Sequence, residues 1–297
     1  MTVTVERVVL ATDGSAPAAT AAAHALFLAR VLDASLHVVS ATGTPPAAAE
    51  TVETAEPSVS AAFEAEEAVG TVVRRALLAE VRTTSEVADG PAAAVVERAV
   101  GEGDLLVLGR HGQTGSGQFL VGSVAERLLD APPVPTLAVP AAATEPNYRT
   151  VALLADGESS AGSVAPLARR IAAATRATLQ PLAIVDGRDA AIASPENLRA
   201  LETEARARLN DVVAAAARDA VESGGTVQTG EPAAELLAHV ERVGADAVVL
   251  GVAGAGGGTR RTRRTEHRAG GVVASRVVRH AGVPVLVVPS GSNGAKR

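Results

Sequence analysis

No cysteine occurs in the 297 residues, which excludes disulfides, thiol nucleophiles and thiolate metal sites together. Tryptophan is absent as well, and Phe27, Phe63, Phe119 and Tyr148 are the only aromatic residues. Sugar clefts and single-stranded nucleic-acid platforms rely on ring stacking, so this composition argues against both. Lysine occurs once, at Lys296, among many arginines, which reads as codon bias before chemistry. No apolar run approaches the roughly 18 residues of a membrane span. Residues 1–7 lack the charged and apolar regions of a signal peptide. The expectation is a cytoplasmic protein with no membrane partner. A net charge of −6 and a pI near 5.6 add that general attraction to nucleic acid is not expected.

What is present is aliphatic and repeated. Hydrophobic residues make up 47% and charged residues 20% of the chain, ordinary proportions for a globular protein. The apolar share is mostly Ala, Val and Leu, which suits helices packed closely on a sheet. The length is comfortable for two domains of about 150 residues each. Val8-Val9-Leu10-Ala11-Thr12-Asp13-Gly14 is echoed by Val151-Ala152-Leu153-Leu154-Ala155-Asp156-Gly157. Asp104-Leu105-Leu106-Val107-Leu108-Gly109 is echoed by Asp246-Ala247-Val248-Val249-Leu250-Gly251. A third pair ends each half, Val134-Pro135-Thr136-Leu137-Ala138-Val139-Pro140 against Val283-Pro284-Val285-Leu286-Val287-Val288-Pro289. Gly109 follows Asp13 by 96 residues and Gly251 follows Asp156 by 95, so three landmarks recur in order at one spacing. The boundaries predicted are a first domain at 1–142, a second at 147–290 and a tail at 291–297.

Within each half, short apolar runs alternate with amphipathic stretches. The first half reads as strands near 6–11, 35–41, 81–87, 104–108 and 135–139, with helices near 16–32, 59–79, 91–101 and 122–130. The second reads as strands near 149–155, 178–185, 225–229, 246–250 and 283–288, with helices near 161–175, 195–222, 232–243 and 271–280. The strands are nearly continuous Val and Leu, as in a parallel sheet covered on both faces. Strand–helix alternation implies right-handed crossovers and a doubly wound α/β fold. Ser194-Pro195-Glu196 is a good helix start, and Ser15 reads as the cap of the first helix.

The strongest functional signal is Gly109-Arg110-His111-Gly112, nine residues, then Gly122-Ser123. It begins where a buried strand ends and finishes where a helix starts, at the sheet edge where such folds bind ligands. Glycine lets a phosphate chain approach the backbone amides, and a helix N-terminus adds open amides and a favourable dipole end. Ser123 can donate its hydroxyl to a phosphate oxygen. Asp13 also reads as a turn residue, because Asp-Gly is a common turn pair. His111, inside the glycine loop, could meet a phosphate but is expected as a solvated loop residue, and His24 and His37 are expected as structural.

The pattern G-x-x-G, nine residues, G-[ST], after a first strand ending in Asp, resembles the ATP-binding subset of the universal stress protein family. The resemblance covers both halves. It implies two tandem Rossmann-like domains of the adenine nucleotide alpha hydrolase type, each a five-stranded parallel sheet flanked by helices. It implies that Asp13 lies beside the nucleoside and that Ala11 and Val38 line the adenine pocket. Gly109, Gly112, Gly122 and Ser123 would hold ribose and phosphates, with Val124 at the helix start. ATP, with Mg2+, is the implied cofactor, and the two halves are expected to pair as single-domain members pair in dimers, with a further homodimer open. The protein partners are unknown.

The second half departs from the pattern. Sixteen residues separate Gly254 from Gly271 where nine are expected, and Val272 stands at the position matching Ser123. The added stretch holds Arg260, Arg261, Arg263, Arg264, His267 and Arg268 and is expected as a basic loop. A degenerate second site follows. Neither a G-x-x-x-x-G-K-[ST] loop nor an S-G-G-x-D-S loop is present, and Gly112-Gln113-Thr114-Gly115-Ser116-Gly117 neither follows the first strand nor opens a helix. No nucleophile, base and orienting group can be read as a set. Three classes remain: a nucleotide-responsive stress regulator, a stress scaffold whose glycines are only turns, and a slow ATPase.

Overall fold

The computed structural model describes residues 4–43, 59–111, 121–143, 145–155, 162–187, 194–253 and 262–290. The chain forms two compact units, Thr4–Pro146 and Asn147–Arg297.

The first unit runs β1 (Arg7–Ala11), α1 (Ala16–Leu32), β2 (Ser35–Ala41), α2 (Val59–Leu78), β3 (Thr83–Ala88), α3 (Ala92–Ala99), β4 (Asp104–Gly109), α4 (Ser123–Asp130) and β5 (Thr136–Val139). Its strands pair in the order β3-β2-β1-β4-β5, and every ladder is parallel. Val8, Val9 and Leu10 of β1 and Leu105, Leu106 and Val107 of β4 are fully buried, as strands covered on both faces require. The chain lays down β1, β2 and β3 in one direction and then returns to add β4 on the other side of β1. The strand order therefore reverses between β1 and β4, and a crevice opens at their carboxyl ends.

The second unit repeats this plan with β6 (Thr150–Leu154), α5 (Val164–Thr175), β7 (Thr178–Asp186), α6 (Pro195–Arg218), β8 (Thr226–Gly230), α7 (Pro232–Val243), β9 (Ala247–Ala253), α8 (Thr262–His280) and β10 (Val285–Ser290). The order is β8-β7-β6-β9-β10, again all parallel. Helix starts follow local chemistry. Ser15 accepts from the Ala18 amide at 3.3 Å and Ser194 from the Asn197 amide at 3.2 Å, each with proline in the first turn.

Two expected boundaries are corrected. Helix α6 stops at Arg218 rather than near 222, because Ala220 adopts a left-handed φ of 56° and Val221 turns back to donate to Ala216 O at 2.9 Å. Helix α8 begins at Thr262 rather than at Gly271, so the backbone carrying Arg263, Arg264, His267 and Arg268 is helical and not a loop. Arg, Glu and Ala favour helix and no proline interrupts the stretch, so the two glycines at 270 and 271 do not stop it. Arg260 and Arg261 lie outside the described residues, as does the tail from 291.

Candidate functional site

The turn leaving β1 is built by its own side chains. Thr12 N donates to Val39 O at 2.9 Å, holding the turn against the end of β2. The Asp13 carboxylate accepts from the Ser15 amide at 3.0 Å and the Ser15 hydroxyl at 2.6 Å, and the Gly14 amide donates to Thr12 Oγ1 at 3.3 Å. Gly14 has a φ of 75°, and a Cβ there would sit 3.1 Å from Ala68 Cβ of α2. Both the backbone angle and the neighbour call for glycine.

At the end of β4, a Cβ on Gly109 would lie 3.0 Å from His111 O and 3.2 Å from the Pro17 carbonyl. Here the missing side chain admits the first turn of α1 to the end of β4, a packing role in addition to the phosphate approach the sequence suggested. Arg110 N then donates to Val139 O at 2.7 Å, and Arg110 O accepts from Gly122 N at 2.9 Å. The two ends of the glycine segment are thus held together. Gly122 is the N-cap of α4 and offers no side-chain cap, so the amides of the first turn, from Ser123 onward, have no intrahelical acceptor.

These pieces surround a cavity of about 410 Å3. Ala11, Thr12 and Asp13 line it from the β1 turn, Val39, Ser40 and Ala41 from β2 with Thr42 just beyond it, and Ala61, Glu64 and Ala65 from α2. Ala92 and Val96 of α3 add an apolar wall, while Gly109, His111, Gly122, Ser123 and Val124 complete the β4–α4 side. Six of the residues singled out in the sequence are therefore neighbours around one space: Ala11, Asp13, Gly109, Gly122, Ser123 and Val124. Val38 is not in the lining and Val39 takes the wall position, although both are 0% exposed. The parallel register pairs Leu10 with Val38 and Ala11 with Val39, so it is Val39 that stands level with the lining residue of β1. Gly112 lies outside the described residues.

His111 corrects the sequence reading. It is 7% exposed and lines the cavity, and its buried Nδ1 has no hydrogen-bond partner among the described residues. Burial first, and the neighbouring Arg110 guanidinium second, push its pKa below the ordinary histidine value. Arg110 is itself buried, and burial lowers its pKa too. Position offers the one signal that could have found His111, two residues beyond a fully buried strand. Ser40, Thr42, Glu64, Ala92 and Val96 carried no motif. His24 is buried in α1, and His37 pairs with Thr84 at 2.8 Å and lies 3.8 Å from Glu86.

Among the described residues of the second unit, Gly271 and Val272 do not open a helix as Gly122 and Ser123 do. Gly271 and Val272 lie well inside α8, where amides bond within the helix, and Val272 is 65% exposed. Asp156 and Gly254 lie outside the described residues. Among the described residues no helix is long and apolar enough to cross a membrane, and no group of three or more His, Asp or Glu could hold a metal ion.

The sequence model described as the universal stress protein family matches twice, at residues 4–140 and 147–289. A universal stress protein of Methanocaldococcus jannaschii is 33% identical over 138 residues, which span 45% of this chain and 81% of that protein. The solved structure of a universal stress protein from Archaeoglobus fulgidus aligns with a TM-score of 0.70 at 18% identity, covering 99% of both chains. A protein of unknown function from Pseudomonas aeruginosa aligns at 0.64 with 12% identity, covering 96% of this chain and 92% of its own. At these identities the two structures speak for the fold.

Proposed function

The chain belongs to the universal stress protein family, and from that premise we propose that the cavity of its first unit binds ATP. One observation carries the reading: the open N-terminus of α4, the His111 ring whose Nδ1 has no partner among the described residues, and the Asp13 turn converge on one cavity that also has an apolar wall. Its volume of about 410 Å3 falls in the range of small-molecule sites. A triphosphate matches the α4 end, because helix amides and the dipole favour anions. Gly122, Ser123 and Val124 would bind its oxygens, with Gly109 and Gly112 bounding the approach and His111 donating from the strand end. Asp13 accepts hydrogen bonds from Ser15 and has further acceptor capacity for ribose hydroxyls. Ala11 and Val39, in place of Val38, would pack against the base.

The described residues offer no cage for Mg2+, so the ion would travel with the phosphates and keep several waters, as this cation commonly does. Asp13 and Glu64 are the carboxylates that line the cavity among the described residues. In this reading the protein is a cytoplasmic, nucleotide-responsive stress regulator. ATP in the first unit sets what is presented to protein partners, and the second unit, with Gly271 inside a helix, contributes no equivalent site. Denaturing the purified chain and identifying released nucleotide by mass spectrometry tests the reading. Adenine nucleotide near one per chain supports it, and a preparation that neither carries nor takes up nucleotide leaves the scaffold.

A further inference from the structure

Resting on the nucleotide reading, we infer that Ser40 reads the edge of the base and sets which nucleotide the first unit prefers. Ser40 sits in β2 directly after Val38 and Val39, both 0% exposed, and is itself 3% exposed. It lines the cavity, and no hydrogen bond joins its hydroxyl to any other residue among those described. The hydroxyl is not among the buried polar atoms that lack a partner, so it is reached from the cavity it lines, and its donor and acceptor capacity is open to a polar atom of the ligand.

The strand order decides which part of the ligand that is. The phosphate cradle lies at the end of β4 and the start of α4, Asp13 follows β1, and Ser40 is on β2, on the far side of β1 from β4. Two strand spacings separate β2 from β4, about 10 Å. A nucleotide held by its phosphates at α4 and by its sugar at Asp13 extends its ring toward β2. The surroundings there suit a flat heterocycle, since Val39, Ala41, Ala92 and Val96 form an apolar slot. Among the described residues, the other hydroxyls lining this side are engaged: Thr42 donates to Asp89 at 2.8 Å, and Thr12 accepts from the Gly14 amide at 3.3 Å. Ser40 is the hydroxyl left to meet the ring, and it can donate to a ring nitrogen or accept from an exocyclic amino group.

The test is equilibrium binding of ATP, GTP and UTP, each with Mg2+, to the full chain and to S40A. Alanine keeps the strand packing and removes only the oxygen, and the unliganded melting temperature checks that β2 is intact. The expected result is ATP affinity weakened about three- to tenfold, the scale of one neutral hydrogen bond, with a narrowed preference for ATP over GTP and UTP. Unchanged ATP affinity in S40A would overturn this inference alone, as would an equal loss for all three nucleotides. A wild-type chain that binds none of the three would overturn the nucleotide reading and this inference with it.

Discussion

The Gly122 amide donates to the Arg110 carbonyl at 2.9 Å, closing the glycine segment at its base. Arg110 is in turn anchored to β5 through Val139 O at 2.7 Å. The start of α4 is therefore fixed to the end of β4 by the backbone, whatever lies between residues 112 and 120. This bond turns a sequence spacing into a site, because it aims the open first turn of α4 at the space above β1 and β4.

The glycines of the motif separate by role, which gives a first prediction. A Cβ at Gly109 meets backbone atoms of His111 and Pro17 at 3.0–3.2 Å, and backbone yields less readily than a flexible side-chain end. G109A is expected to cost about 1–3 kcal/mol of stability, the usual price of overpacking. Urea denaturation without nucleotide measures it. Stability equal to wild type would show that α1 does not rest on β4 as closely as described.

His111 predicts a pH dependence of binding. In the free protein its pKa lies below the ordinary value, because burial and Arg110 disfavour the cation. Phosphate oxygens beside the ring would favour the cation and raise that pKa, so binding would take up a proton. ATP affinity should then strengthen as pH falls from about 7.5 to 5.5, a window around the ordinary histidine value. Among the described residues, Asp13, Glu64 and Arg110 are the other charged groups at this end, and they remain in H111Q. The difference between the wild-type and H111Q profiles therefore belongs to His111 and cancels any titration of the nucleotide itself. Parallel profiles would remove His111 from the phosphate end.

Much of this architecture was legible in the residues. Nearly continuous Val and Leu runs mark β1, β4 and β5, and the repeated Asp-to-Gly spacing marks the two units. The nine-residue gap leads directly to the start of α4. Other features depend on contacts that sequence does not order. Val38 and Val39 are equally apolar, and only the register with β1 says which of them reaches the cavity wall. Gly270 and Gly271 look like a helix start by analogy with Gly122, but the preceding residues favour helix and carry α8 back to Thr262. Glu64 and Ala65 of α2, and Ala92 and Val96 of α3, are brought to the site by tertiary packing and had no motif of their own.

The second unit carries a pH dependence of stability in His239 of α7. The ring is 1% exposed, its Nε2 has no partner among the described residues, and burial is the main cause of a lowered pKa. The unfolded chain then binds this proton at higher pH than the folded chain does, so stability rises with pH across that interval. On acidification the loss begins near the unfolded value of about 6.5 and continues down to the folded pKa. His37 and His111 are shifted in the same direction, so the wild-type slope includes all three. Melting temperatures from pH 7.5 to 5 should fall less steeply in H239L than in wild type. Equal slopes would mean that His239 is solvated or paired when protonated.

The most direct test of an ATP site confined to the first unit is calorimetry with ATP and Mg2+ on wild type, G122V and G271V. Gly122 has a φ of −64° and ψ of 150°, which valine adopts without backbone strain, and the unliganded melting temperature of G122V checks that the fold is kept. A Cβ at Gly271 meets nothing within 4 Å, which makes G271V the matched control. One ATP per chain is expected in wild type and G271V, with affinity lost in G122V. Binding that survives G122V, or that disappears only in G271V, would contradict a site confined to the first unit.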